Sequence, residues 1–207
     1  MFLRILSVLV LLLAGYIIYD SARVAIALSS ADNAAEGYYF APEGQDADIN
    51  VVAYIDYSCV SCRELHPLLD KAIQDDGKVK LIPRPIASKG LDTPEASAAK
   101  LVYAAAMQKP EMFTEAHHRF MHEYRVVDSM YISDFALHYA LDSVQLEKDM
   151  ESPEVLDALQ DNFDNLEALK GKVLPTLLVN GEIMVHVNGV LPSSTLLGDL
   201  FNTARSL

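Results

Sequence analysis

Two cysteines separated by two residues are the first feature of this sequence that could carry out chemistry. The segment Cys59-Val60-Ser61-Cys62 contains both cysteines of the 207-residue chain. A bridge at this spacing closes so small a loop that it restricts the unfolded chain little, which makes a purely structural disulfide a poor explanation. Two cysteines also exclude a Cys₄ zinc or iron–sulfur site within one chain. The motif alone leaves redox chemistry and other metal binding open.

The elements predicted around the pair assign a role to each sulfur. Ile49–Asp56 is β-branched and aromatic, as a buried strand should be, and a helix is predicted from about Cys59 to Asp75. Only a thiolate attacks a disulfide, and the unpaired N–H groups of a helix N-terminus stabilise that anion. We therefore expect Cys59, nearer the helix end, to be the exposed attacking or attacked sulfur. Cys62, one turn further, should be buried and resolve the mixed disulfide.

A histidine-rich stretch is the second candidate for chemistry. His118 and His122 are four residues apart, so they share one face of a predicted helix and could bind a metal ion. The stretch lacks the H-E-x-x-H pattern, and histidine pairs on exposed helices are common. We therefore expect that this stretch does not bind a metal ion. His66 is expected to be partly exposed without a direct chemical role, and Asp56 to hydrogen-bond nearby backbone.

The remaining elements follow from periodicity, caps and turns. Val79–Pro83 is a second strand, and a strand–helix–strand unit of this kind pairs its strands in parallel. Thr176–Val179 and Glu182–Val187 are strands joined by Asn180-Gly181, a strong signal for a tight antiparallel hairpin. The helices predicted between and after these strands are Glu95–Gln108, Glu111–Tyr124, Tyr131–Ala140, Ser143–Met150, Pro153–Leu169 and about Ser193–Ser206. The order predicts an α/β fold whose mixed central sheet is flanked by helices, with an all-helical insert over about residues 93–170.

The N-terminus carries an uncharged segment, Ile5–Tyr19. As a helix it would span about 22 Å, less than the roughly 30 Å hydrocarbon core of a bilayer, and its length also suits the apolar region of a signal peptide. No small-x-small cleavage site follows closely, and Val24–Leu28 could extend the helix while Arg23 snorkels. We therefore favour an uncleaved signal-anchor over residues 1–20, which exports the remainder of the chain.

A mixed segment, residues 21–48, separates this anchor from the first strand. It is rich in Ala, Asp, Gly and Ser, and Pro42-Glu43-Gly44 predicts a turn within it. It is therefore interpreted as a tether that leads to a domain over residues 49–207.

The charge of the chain excludes one class of partner. Lys and Arg number 16 against 29 Asp and Glu, which gives a formal net charge of −13. This excess repels nucleic-acid phosphate and offers no basic stripe for it. A well-solvated acidic surface is the interpretation that we prefer.

Two segments of the sequence resemble those of a known protein family. The segment Asp56–Pro67 is similar to the active-site segment of DsbA-like proteins of the thioredoxin superfamily, with Pro67 at the position of their helix proline. Val173-Leu174-Pro175-Thr176 resembles the segment in which that superfamily carries a cis-proline facing the cysteines. The resemblance covers about Ile49 to the C-terminus, and it implies a thioredoxin fold with no cofactor.

The resemblance also implies how substrates bind. A cis bond at Leu174-Pro175 would hold a backbone edge beside the sulfurs, so that an extended substrate could pair with it as an added strand. The substrate-binding residues implied are Val60, Ser61, Leu174 and Pro175.

The sequence departs from the family pattern at several positions. Val60-Ser61 stands where the family often has proline and then an aromatic residue or histidine, and this dipeptide tunes thiolate stability. Ala53 occupies the position of a buried acid, so proton transfer must use water or another group. Leu174 stands where valine or threonine is more usual, and Glu182–Asn188 is longer than the usual hairpin. These differences affect the expected direction of thiol–disulfide exchange and the choice of substrate more than they affect the expected fold.

The function expected is an extracytoplasmic thiol–disulfide oxidoreductase of the oxidase type, anchored to the cytoplasmic membrane. Its partners would be cysteine-containing protein substrates and a membrane redox partner. A reductase is the close alternative, whereas an isomerase is disfavoured because residues 21–48 are too short and polar to form a dimerisation domain. A Cu(I)-binding protein using Cys59 and Cys62 and a catalytically weak thioredoxin-fold binding module are the remaining alternatives.

Overall fold

A computed structural model of the protein describes residues 2–34, 38–41, 46–171 and 173–207. The turn predicted at Pro42-Glu43-Gly44 lies outside these residues. The elements follow in the order α1 Phe2–Ala31, β1 Ile49–Ile55, α2 Val60–Asp76, β2 Val79–Pro85, a 3₁₀ turn Pro94–Ala96, α3 Ser97–Gln108, α4 Met112–His122, α5 Ser129–Tyr139, α6 Ser143–Asp149, α7 Pro153–Ala168, β3 Thr176–Val179, β4 Ile183–His186 and α8 Ser194–Ala204.

The four strands form one mixed sheet in the order β2-β1-β3-β4. β1 pairs in parallel with β2 and antiparallel with β3, and β3 pairs antiparallel with β4. Asn180 and Gly181 both have positive φ, 50° and 69°, which is the backbone that a two-residue hairpin turn requires. The helices α3–α7 lie between β2 and β3 in the chain, where the helical insert is predicted.

The two faces of the sheet bury separate apolar clusters, because side chains alternate along a strand. Val51, Ala53 and Ile55 of β1 belong to the larger cluster, which also takes in buried residues of α2, α8 and the insert. Val52 and Tyr54 point to the other face and belong to a smaller cluster with residues of α1 and the end of α7. Helices therefore cover the sheet on both faces and hold β1 at its centre.

The C-terminal part of α1 packs against the domain, where a tether is predicted. Residues 21–31 continue α1 instead, and Ala27 and Ala31 are buried. The cause is an apolar stripe at helical spacing, which the partly buried Val24 and Leu28 complete. Arg84 of β2 fixes the end of this helix by donating to the carbonyl oxygens of its last residues at 2.9 Å.

The same helix is long and apolar enough, by length and composition, to cross a membrane over Leu9–Ala31. Its large apolar side chains between Leu9 and Tyr19 are exposed. The helical residues 2–19, ahead of the packed part, span about 27 Å, close to the roughly 30 Å hydrocarbon core. The helix thus has an exposed apolar half and a half that packs on the domain.

Candidate active site

The turn between β1 and α2 places Cys59 immediately before the first residue of the helix. Cys59 has extended backbone and is the N-cap of α2, and its N–H donates to the carbonyl oxygen of Asp56 at 3.0 Å. The Asp56 carboxylate accepts the N–H groups of Ser58 at 2.7 Å and of Ser88 at 3.0 Å, and also the Ser88 hydroxyl. Asp56 therefore hydrogen-bonds nearby backbone as the sequence predicts, and it also ties the cysteine turn to the loop after β2.

The Cys59 sulfur is half-buried and surrounded by hydrogen-bonding groups. The N–H of Cys62 donates to Cys59 Sγ at 3.4 Å, and the Ser61 hydroxyl oxygen lies 3.2 Å from the same sulfur. The pKa of Cys59 is lowered to about 6, chiefly by the hydrogen bond with the Cys62 side chain, with further contributions from Ser61 and from the Cys62 backbone. At neutral pH this sulfur is therefore largely a thiolate, the nucleophilic form.

The Cys62 sulfur has the opposite environment. It is only 1% exposed, and its hydrogen bond with Cys59 together with burial raises its pKa far above the usual range. It lines a narrow, mainly apolar cavity with Ala53, His66 and His117. The two thiols are coupled, so Cys62 keeps its proton while Cys59 carries the charge. This difference in burial is the one that the helix position predicts.

The Leu174-Pro175 segment lies beside the cysteine turn. The peptide bond between these residues is cis. The Leu174 carbonyl oxygen lies 3.8 Å from Cys59 Sγ and 3.3 Å from the Ser61 hydroxyl. That hydroxyl can donate its single proton either to the Leu174 carbonyl oxygen or to the Cys59 sulfur. Val60 is 59% exposed next to Cys59. Three of the residues that the resemblance assigns to substrate binding, Val60, Ser61 and Leu174, thus lie around one half-buried sulfur, and Pro175 follows Leu174 through the cis bond.

His66 lies one turn beyond Cys62 on α2, and the expectation of a partly exposed side chain is wrong. His66 is 3% exposed because α4 packs over it. Its Nε2 lies 3.1 Å from His118 Nδ1 and 3.2 Å from Asp70 Oδ2. Burial, with added repulsion from His118 and His122, lowers the pKa of His66 to about 3.

His117 is a second buried histidine that the sequence does not single out. Its Nδ1 lies 3.0 Å from the Tyr57 hydroxyl, and its ring packs edge-on against His66 with 5.1 Å between the centroids. Among the described residues its Nε2 has no hydrogen-bond partner. Burial lowers its pKa well below the usual value, so the ring is neutral.

Two contributions at this site escaped prediction. The sequence suggests at most a hydroxyl from Ser61, whereas the structure places that hydroxyl between a sulfur and a carbonyl. The only local signal for His66 is its spacing of four residues from Cys62, which puts both on one face of α2. Neither residue type is informative until the elements facing it are known.

Comparison with known proteins agrees with this architecture. A family model described as thioredoxin matches residues 44–190. The chain therefore belongs to this thioredoxin family, whose general chemistry is thiol–disulfide exchange. Comparison with curated proteins gives no match.

Several solved structures share the fold. A thioredoxin-like oxidoreductase from Silicibacter pomeroyi DSS-3 is 24% identical with a TM-score of 0.67, covering 82% of this chain and 92% of that one. The catalytic domain of Proteus mirabilis ScsC is 19% identical with a TM-score of 0.69, covering 89% and 98%. A periplasmic thioredoxin-like protein from Salmonella enterica serovar Typhimurium is 18% identical with a TM-score of 0.69, covering 87% and 97%. At these identities the likeness concerns the fold, and the predicted thioredoxin fold with its helical insert is confirmed.

Proposed function

We propose that this protein is an extracytoplasmic thiol–disulfide oxidoreductase that donates disulfides to cysteine-containing protein substrates. Cys59 is the sulfur that forms the mixed disulfide with a substrate, and Cys62 is its partner in the protein's own disulfide and leaves when the substrate attacks. Val60, Ser61, Leu174 and Pro175 form the surface that receives the substrate chain. The protein is held at the cytoplasmic membrane by its N-terminal helix, and a membrane redox partner reoxidises the pair.

The observation that best supports this proposal is the difference in environment between the Cys59 and Cys62 sulfurs. Cys59 is half-buried with a pKa of about 6, whereas Cys62 is buried with a strongly raised pKa. A thiolate stabilised on the accessible sulfur is a good leaving group, and a protonated inner thiol is unreactive until a mixed disulfide forms beside it. This is the asymmetry that directional exchange through one sulfur requires.

In the oxidising direction the reaction starts from the Cys59–Cys62 disulfide. A substrate thiolate attacks Cys59 Sγ, the bond between the two protein sulfurs breaks, and Cys62 leaves and takes a proton. A second substrate thiolate then attacks the substrate sulfur of the mixed disulfide and releases Cys59 as a thiolate. The substrate loses two electrons and gains a disulfide, and the protein pair is reduced.

The low pKa of Cys59 supports the oxidising direction. Hydrogen bonds that stabilise the thiolate also stabilise the reduced pair, so the disulfide is given up more readily. The Cys59 pKa of about 6 lies well below the ordinary cysteine value of 9.0. A reductase role is the alternative outcome of the test below.

The Leu174 carbonyl oxygen is positioned to receive the backbone of a substrate. It lies 3.8 Å from Cys59 Sγ, in the segment just before β3, so a peptide bound along this segment brings its own sulfur to Cys59. Pairing of an extended chain with a backbone edge gives affinity without demanding a particular sequence. The exposed Val60 would add an apolar contact on the other side of the sulfur.

The location outside the cytoplasm rests on two observations. The apolar half of α1 is long enough, with its flanks, to lie in a bilayer, and disulfide chemistry belongs to oxidising compartments. One of the similar structures is described as periplasmic. Residues 1–20 then serve as the anchor ahead of residues 49–207.

The reduction potential of the pair tests this proposal. The full-length protein in detergent is freed of metals and equilibrated with glutathione buffers of graded composition, and the fraction of reduced Cys59 is measured by alkylation. A value near −120 mV, about that of a strong oxidant, supports disulfide donation. A value near −270 mV, about that of thioredoxin, overturns the oxidising direction in favour of a reductase. A pair that does not cycle at all overturns the oxidoreductase proposal.

A further inference from the structure

A group of histidines beneath the cysteine turn plays no part in the proposed exchange reaction. His66 of α2 meets His118 and His122 of α4, and one ring nitrogen from each lies within 4.8 Å of the other two. His66 and His118 are 52 residues apart in the chain, yet their nitrogens are 3.1 Å apart. Asp70 Oδ2 lies 3.2 Å from the same His66 nitrogen and 4.0 Å from that of His118.

We propose that His66, His118 and His122 form a binding site for one divalent transition-metal ion, with Asp70 as a further oxygen ligand. The site joins α2 of the thioredoxin core to α4 of the helical insert. It is separate from the sulfurs and does not depend on them. The ion class is that of Zn²⁺ and Cu²⁺, which imidazole and carboxylate ligands suit.

The distances fit a small tetrahedral ion. With ligand bonds of about 2.0–2.1 Å, two ligand atoms of a tetrahedral zinc ion lie roughly 3.3 Å from each other. The structure has 3.1 Å between the nitrogens of His66 and His118, 3.2 Å between His66 and Asp70, and 4.0 Å between His118 and Asp70. Little movement of these three side chains is therefore needed to admit the ion.

The ligands differ in exposure in a way that suits metal uptake. His66 is 3% exposed and fixed between α2 and α4, whereas the His118 side chain is 41% exposed. His122 lies at the end of α4 and is exposed. The buried histidine thus provides a rigid first ligand, and the two on α4 can close over an ion that arrives from solvent.

The surroundings hold His66 in position and favour a cation. His117 packs edge-on against the His66 ring, and the Phe40 ring packs edge-on against His118 at 4.4 Å between centroids. Groups that fix the orientation of ligating histidines raise metal affinity. Asp70 contributes a negative charge at the site, and Glu115 lies three residues before His118 on α4.

This arrangement changes the interpretation of the sequence pattern. His118 and His122 alone supply two ligands on an exposed helix, too few for a stable site. Packing of α2 against α4 adds His66 and Asp70, which no spacing along the chain predicts. The four candidates come from only two helices, each contributing a pair at i, i+4 spacing.

Zinc titration of a cysteine-free variant tests the proposal. The full-length protein carrying Cys59→Ser and Cys62→Ser, in detergent, is freed of metal and titrated with Zn²⁺ by isothermal calorimetry. One Zn²⁺ per chain is expected. His118→Ala and His122→Ala in the same background should each weaken binding by more than about tenfold. His138→Ala, which removes an exposed histidine of α5 outside the cluster, is the matched control and should bind as the parent does.

Two further measurements keep the result interpretable. Circular dichroism of each variant reports folding, and both substituted α4 residues are exposed enough to be replaced without loss of the fold. Co²⁺ in place of Zn²⁺ should give the visible spectrum of a tetrahedral nitrogen and oxygen site, which the His118→Ala protein should lose. Absence of stoichiometric binding, or binding that His118→Ala and His122→Ala leave unchanged, overturns the proposal. Because the sulfurs are absent, none of these outcomes depends on the redox proposal.

Discussion

α2 contributes, one turn apart, to two groups of reactive side chains that are assembled in different ways. The cysteine pair is local, because Cys59 caps the helix and accepts the N–H of Cys62 three residues later. The histidine cluster is distant in sequence, because His66 meets His118 across 52 residues. A helix turn can therefore position the first group, whereas only packing of α2 on α4 can form the second.

The two groups also differ in access. Cys59 is half-buried, faces the Leu174 carbonyl and adjoins the exposed Val60, which suits exchange with another protein. His66 is enclosed by α4 and by its own helix. α2 therefore has a half-buried sulfur at its N-terminus and a buried histidine that contacts α4 on its side. Substitutions at the two groups should affect separate properties.

The largest effect is expected from Cys59→Ser. A serine hydroxyl cannot form the mixed disulfide, so the rate of disulfide transfer to a dithiol peptide should fall by about 10³-fold or more. The decay of peptide thiols, followed with the oxidised parent protein and with the variant, measures this. His138→Ala is the control and should keep the parent rate. A Cys59→Ser protein that still transfers disulfides would remove the basis for distinguishing the two groups.

The next effect concerns how Cys62 controls the charge on Cys59. Because the Cys59 pKa of about 6 lies below its ordinary value of 9.0, thiolate forms as pH rises through about 6 and is lost below it. The alkylation rate of the reduced parent should follow that midpoint and then level off. In Cys62→Ala the chief hydrogen bond is gone, so the midpoint should move to higher pH. Rates of iodoacetamide labelling between pH 4 and 10, roughly the span of thiol titration in proteins, give both midpoints. An unmoved midpoint would contradict this role of Cys62.

A moderate effect on stability is expected from His66→Ala. The change removes a buried side chain and its contacts with His118 and Asp70, which should lower the free energy of unfolding by about 2 kcal/mol. Urea denaturation in metal-free buffer measures this loss. His138→Ala should stay within about 0.5 kcal/mol of the parent. Equal losses in both variants would mean that the histidine cluster does not join α2 to α4.

The smallest effect is expected from Ser61→Ala. It removes one hydroxyl near the Cys59 sulfur and keeps the Cys62 hydrogen bonds, so the alkylation midpoint should rise by only about half a pH unit. Ser58→Ala is the matched control, because the backbone N–H of Ser58 still donates to Asp56. A larger shift than that of Cys62→Ala would make the Ser61 hydroxyl, rather than Cys62, the chief cause of the low Cys59 pKa.

The predicted elements agree with the structure wherever their signals are short-range. The β-branched run at Ile49 becomes β1, the strand after the insert starts at Thr176, and Asn180-Gly181 forms the tight turn. The Pro153 signal likewise starts α7 after its Ser152 cap. In each case neighbouring residues supply the turn, cap or β-branched pattern, so the chain encodes the element locally.

The predictions that the structure contradicts concern features that depend on tertiary packing. Residues 21–31 belong to a segment that looks like a tether because it is rich in Ala, Asp, Gly and Ser, yet they continue α1, and Ala27 and Ala31 are buried in a cluster with the end of α7. His66 looks like a partly exposed histidine because nothing near it in the chain indicates a partner, yet α4 covers it. A side chain's burial depends on which element lies opposite, and that is set by chain segments far away.

The cysteine pair, its place at a helix N-terminus and the greater exposure of Cys59 than of Cys62 could all be predicted from the sequence, because they depend on backbone geometry within one turn. Tertiary packing was needed to bring the Leu174 carbonyl to Cys59 across 115 residues and His66 to the histidines of α4. Closing such distances costs chain entropy that no local signal offsets. Burial of the common core around β1 offsets it, so these contacts are fixed by the packing of the whole domain.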